Sequence, residues 1–118
     1  MRVTSALWVG AYVRRCYQAG AIATVARRGA EEAGAIFVIV DWLDQTADLF
    51  APAPQSFFDE DRPSERLFQR VVMRGTSAAI AERIERETRF DPDVWVVEVE
   101  DKSGRSFLDL VEDKREPR

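Results

Sequence analysis

Residues 90–102 read FDPDVWVVEVEDK and hold Pro92-Asp93 followed by Glu100-x-Lys102, the proline-aspartate plus glutamate-x-lysine pattern of many metal-dependent nucleases. In that pattern the aspartate and the glutamate normally sit on different strands, and a turn brings both carboxylates to one metal ion. Here they share one strand. Seven residues at about 3.3 Å each place Asp93 and Glu100 roughly 23 Å apart, whereas bonds to an ion are about 2 to 2.6 Å long. The motif as written is therefore not a metal site. Glu98 and Glu100 are a different matter, because residues two apart on a strand share a face about 7 Å apart. A carboxylate from another strand, Asp41 or Asp48, would complete a metal-binding set. The competing reading is that paired carboxylates on an exposed sheet face simply solubilise it.

Arginines supply a second candidate. Arg66, Arg70 and Arg74 lie four apart, which aligns them on one face of either a helix or a strand. With Arg14, Arg15, Arg27 and Arg28 they could contact successive phosphates of a nucleic acid, or an acidic partner. The net charge of -4 and the pI near 4.9 weigh against nucleic acid, whose binders usually present a basic domain. Charge is unevenly placed: residues 1–40 carry five Arg against Glu31 and Glu32, a net of +3, and the remainder carries -7. All but Lys102 and Lys114 of the 17 basic residues are Arg, a ratio that codon bias in a GC-rich genome explains as well as phosphate binding does. Phe57 and Phe58, set in the acidic stretch FFDEDRP, read either as an exposed docking segment or as a lid folded over the core.

Much chemistry is excluded. Histidine is absent, which removes the usual triads and every His-ligated zinc site. The single cysteine, Cys16, can form no internal disulfide, and a reducing cytoplasm is the expected setting. Six glycines scattered singly build no phosphate loop, and no cofactor is expected. The apolar stretch Val3 to Val13 before Ala19-Gly20-Ala21 imitates an export signal, but Arg14 and Arg15 interrupt it. No apolar run reaches the length of a membrane span, so no membrane contact is expected.

The elements that must position these groups follow from periodicity. Placing residues 100° apart puts Trp8, Val9, Tyr12, Val13, Cys16 and Ala19 on one arc, which predicts a helix capped by Ser5 and stopped at Gly20, with Cys16 a buried core residue. Ala21 to Arg27 reads as a strand. AIFVIVDWL, residues 35–43, is the most apolar run and reads as a central strand. Residues 47–51 return as a third strand, and 52–65 form an exposed loop. Residues 66–74 read as a fourth strand. Thr76 or Ser77 opens a second helix through Thr88, with Ile80, Ala81, Ile84 and Thr88 as its apolar stripe and a lattice of Glu and Arg outside. VWVVEVE, residues 94–100, alternates as a strand with Trp95, Val97 and Val99 inward, and SFLDL, residues 106–110, is expected to pair back as a hairpin.

At 118 residues, 46% hydrophobic and 32% charged, the chain is long enough for one core. The expected architecture is one α+β domain over residues 1–112, with 113–118 a disordered tail. Two helices pack on one face of an antiparallel or mixed sheet of four to six strands, in the order α-β-β-β-(β)-α-β-(β).

Three segments, LWVGAYVRRCYQAGA, RRGAEEAGAIFVIVD and RFDPDVWVVEVEDKSGRSFLD, together resemble a small bacterial family known only as domain of unknown function 1491. The resemblance spans roughly residues 5–110. It implies a short, stand-alone bacterial protein and transfers no catalytic residue. The role expected from the residues is binding or adaptation through a protein partner or self-association. The rivals are a carboxylate-dependent metal enzyme using Glu98, Glu100 and Asp41, and nucleic-acid binding through the Arg surface.

Overall fold

The computed structural model describes residues 3–54 and 66–111. Phe57, Phe58, most of the 52–65 loop and the 113–118 tail therefore lie outside the described residues. Within them the order is α1 (Ser5–Gln18), β1 (Ile22–Arg27), β2 (Ile36–Asp41), β3 (Thr46–Pro52), β4 (Phe68–Thr76), α2 (Ser77–Phe90) and β5 (Trp95–Glu100). The strands form one mixed sheet in the order β1-β5-β2-β3-β4, in which β5 runs parallel to β2 and the other pairs are antiparallel. The α+β class, the element order and the central place of β2 are as the sequence predicts.

The helices do not share a face. Val9, Tyr12 and Cys16 of α1 pack on Ala23, Ile36, Val38, Val40, Val97 and Val99, whereas Ile80 and Ile84 of α2 pack on Phe37, Leu49, Ala51 and Val96. These are alternate residues of the same strands, which point to opposite sides of a sheet. The near-continuous burial of β2 and β5 is the signature of strands covered on both faces.

Two local expectations are also corrected. Thr4, not Ser5, caps α1 by accepting the Leu7 amide at 3.2 Å, and Ser5 is buried, donating its hydroxyl to the Gly34 carbonyl at 2.6 Å. Residues 106–110 form no hairpin with β5, because both neighbours of β5 are already taken by β1 and β2. Instead the segment crosses to the far edge, where Phe68 and Leu110 form a single parallel bridge. The crossing turns at Gly104, whose φ is +68, and is held by the Asp101 carboxylate, which accepts from the Arg105 backbone N–H at 2.8 Å and its guanidinium at 2.7 Å.

Helix α2 lies nearest β3 and β4 and covers Phe37 and Val96, and it leaves β1 and the last residues of β2 and β5 open on that face. Ile22 and Thr24 of β1 are consequently exposed there. No helix among the described residues is long and apolar enough to cross a membrane.

Candidate functional site

The open half of this sheet face and the flank of α2 enclose a cleft of about 460 Å³. Its floor is Ile39 and Val96, and its α2 wall is Ser77, Ile80, Ala81, Ile84 and Glu85. Ala26 and Arg27 of β1 close one side, while Asp41 and Glu98 line it with Ala47.

Register places the carboxylates. In the parallel pair, Asp41 stands opposite Glu100 and Ile39 opposite Glu98. Asp41, Glu98 and Glu100 therefore share the α2 face, with neighbouring strands about 4.8 Å apart. Asp48 does not join them. It pairs with Val40 on the α1 side, is 1% exposed, accepts the Arg74 amide at 2.7 Å and lies 3.5 Å from the Arg70 guanidinium. Among the described residues no three His, Cys, Asp or Glu side chains are grouped so as to hold a metal ion.

Glu98 is the perturbed member. Partial loss of hydration, then the negative charges of Asp41 and Glu100, push its carboxyl above the ordinary 4.5. The cation beside it is committed elsewhere: the Arg27 guanidinium donates to the carbonyls of Val94 at 3.2 Å and Pro92 at 3.0 Å, toward the other end of β5. A raised carboxyl pKa means that the folded chain binds a proton more tightly than the unfolded one. The resulting cost is absent below 4.5 and complete once pH exceeds the folded value. Glu98→Gln should therefore raise the melting midpoint by about 2 °C at neutral pH, corresponding to about 0.5 kcal/mol for like charges facing across strands. Calorimetry in acid should show the gain shrinking to nothing, and a gain that is equal at all pH values contradicts this origin.

The predicted Arg stripe is spent within the molecule. Arg66 donates to the Val3 carbonyl at 2.8 Å. Arg70 lies over the Phe50 ring at 5.4 Å and beside Asp48, and Arg74 lies over Trp42 at 4.0 Å and pairs with Asp44. A bulge breaks the stripe's regular register, since Arg74 adopts φ +49. On α1, Arg15 lies 5.7 Å from the Tyr12 ring and donates to the Phe107 carbonyl at 3.2 Å, while Arg14 is exposed. Asp93 and Glu100 stand at opposite ends of β5, as the spacing requires.

Residues 3–109 match the family described as Protein of unknown function (DUF1491). The chain belongs to this family. The DUF1491 chain is similar to protein Atu0922 from A. tumefaciens, known from a solution structure, at 43% identity and a TM-score of 0.82, with 96% of this chain and 98% of that one covered. It is also similar to a DUF1491 family protein from Caulobacter crescentus CB15, at 36% identity and a TM-score of 0.75 in a crystal structure covering 95% of this chain and 100% of that one. No curated protein matches at a significant level.

Two of the segments that resemble the DUF1491 family meet in space. The Asp93 carbonyl, in the turn FDPD, accepts the Ala30 amide at 2.9 Å between Gly29 and Gly34 of RRGAEEAG. Their role is to join the loop before β2 to the start of β5. The sequence reading gave no site role to Ala26, Ala47, Ser77 or Ala81, which wall the cleft. The one available signal was Ala81 on the α2 stripe, which lies beside the buried Ile80 yet remains exposed.

Proposed function

We propose that the protein is a binding domain that acts through a protein partner, received in the cleft beside α2. The observation that supports this reading is the half-covered sheet face. A helix lies over β3 and β4 and covers Val96, yet the adjoining face at the ends of β2 and β5 and along β1 carries the apolar residues Ile39 and Ile22 with no element of the described chain laid across them. Apolar concavities with a few convergent polar groups are where ligands and partners usually bind. The Arg surface offers less, because Arg66, Arg70 and Arg74 each hold an internal partner. The setting we propose is the cytoplasm, consistent with Cys16 being a free thiol buried in the core.

The test is to fill the cleft. Ala81 is exposed and points along it, so Ala81→Trp should fold normally while occupying the space. Quantitative capture from a bacterial lysate, wild type against variant, should show a discrete set of proteins lost with Ala81→Trp and retained with Ala78→Trp, which changes an exposed position of α2 outside the cleft lining. Identical captured sets for the two variants, with melting curves showing both folded, defeat the proposal.

A further inference from the structure

Building on the cleft as the docking surface, we infer that its occupant is a basic amphipathic segment, whose apolar side chains rest on Ile39 and Ile84 while a Lys or Arg reaches Asp41, Glu98 and Glu100. Charge complementarity selects this partner. The register of β2 on β5 stacks Asp41 beside Glu100, with Glu98 one step along the same face. No salt bridge among the described residues ends on Glu98, and burial together with the charges of Asp41 and Glu100 disfavours its ionised form. The groups packed around it bear this out. From β1, Arg27 is bound to two backbone carbonyls, and from α2, Glu85 lines the same cleft and pairs with Arg89 at 3.4 Å.

Like charges held on a partly desolvated face destabilise a fold, and such local violations are expected where function requires them. An incoming guanidinium or ammonium relieves the repulsion. Anionic partners, nucleic acid and acidic peptides among them, would add to it. The volume suits a few side chains of one segment rather than a whole domain. Arg suits the site better than Lys, since its fork can bridge two carboxylates on adjacent strands.

The probes are two labelled synthetic peptides of about 12 residues, with leucines at helical spacing, one carrying lysine and one glutamate on the polar face. Fluorescence anisotropy at low salt should show the lysine peptide binding at least about tenfold more tightly. The double variant Asp41→Asn with Glu98→Gln should weaken it about tenfold and abolish the preference, and Ala81→Trp should remove binding. Neutralising Glu98 is expected to stabilise the fold, and an asparagine at 41 can still accept the Leu43 amide that Asp41 accepts at 2.8 Å, so melting curves of the double variant should show it folded and loss of binding there is not loss of structure.

Equal binding of the two peptides, still blocked by Ala81→Trp, overturns the basic specificity while leaving the cleft as a docking surface. Lysine-peptide binding that ignores the double variant reports only the net charge of the molecule and also overturns it. Lysine-peptide binding that persists with Ala81→Trp removes both this inference and the docking reading. No lysine-peptide binding at millimolar concentration overturns the inference.

Discussion

Replacing Trp95 by alanine should lower the melting midpoint by about 12 to 20 °C, which corresponds to about 3 to 5 kcal/mol for truncating a large buried aromatic residue. Trp95 is 1% exposed at the start of β5, where its ring packs in the α1-side core and lies under the Arg28 guanidinium at 5.0 Å. Its indole N–H donates to the Ala30 carbonyl at 2.7 Å. Alanine leaves a cavity beneath the α1-side loop and removes the shorter of the two hydrogen bonds to the Ala30 carbonyl, which keeps the Gly34 amide at 3.3 Å. Phenylalanine should restore most of the packing and lose only the hydrogen bond, a deficit of about 1 to 2 kcal/mol. Chemical denaturation followed by far-UV circular dichroism separates the variants. A Trp95→Ala loss below about 1 kcal/mol would mean that the indole is not the keystone of this core.

The second large effect comes from adding a single methyl group. A Cβ at Gly29 would stand 2.1 Å from the Asp93 carbonyl oxygen and 2.7 Å from both the Val94 carbonyl carbon and Trp95 Cδ1. At Gly34 it would stand 2.3 Å from the same oxygen and 2.9 Å from the Ala30 backbone. The obstacle is mostly main chain, which cannot rotate away as a side chain does. Gly29→Ala should therefore cost about 3 kcal/mol, the upper end for overpacking, or about 12 °C in midpoint. Gly10→Ala is the control. Gly10 lies inside α1, where an added methyl would meet nothing within 4 Å, so alanine there should stabilise by about 0.5 to 1 kcal/mol. Opposite signs from the same substitution would show that close approach, not glycine content, governs the loop. A neutral Gly29→Ala would show that the loop and the FDPD turn do not meet as described.

The Glu98 and Arg74 regions show where sequence reading succeeds and where it stops. Spacing along one strand sufficed to separate Asp93 from Glu100 and to put Glu98 on the face of Glu100, because strand geometry is local and its period is fixed. It left the third carboxylate open between Asp41 and Asp48. The parallel register of β2 on β5 chose Asp41, and the antiparallel register on β3 sent Asp48 to the opposite face, where Arg70 and the Arg74 amide hold it. The arginine spacing was visible too, but not the bulge at Arg74 or the partners that consume the side chains, since each partner is distant in sequence. The SFLDL hairpin failed for a related reason: local turn chemistry cannot register that β5 already has neighbours on both sides.

What the sequence by itself determined is the set of local objects: two amphipathic helices, the strands between them, the absence of histidine and of any internal disulfide, and the family resemblance carried by three segments. Periodicities of 3.6 and 2 and the preferences of capping residues act over a few neighbours, so they can be read from order alone. Which face each helix covers, which strands become neighbours and in what register were decided by the tertiary structure. Those choices minimise exposed apolar area over the whole chain, and one strand's alternation serves either face equally well. The cleft belongs wholly to this second class. It exists because α2 crosses β3 and β4 and leaves Ile39, Asp41 and Glu98 beside it uncovered.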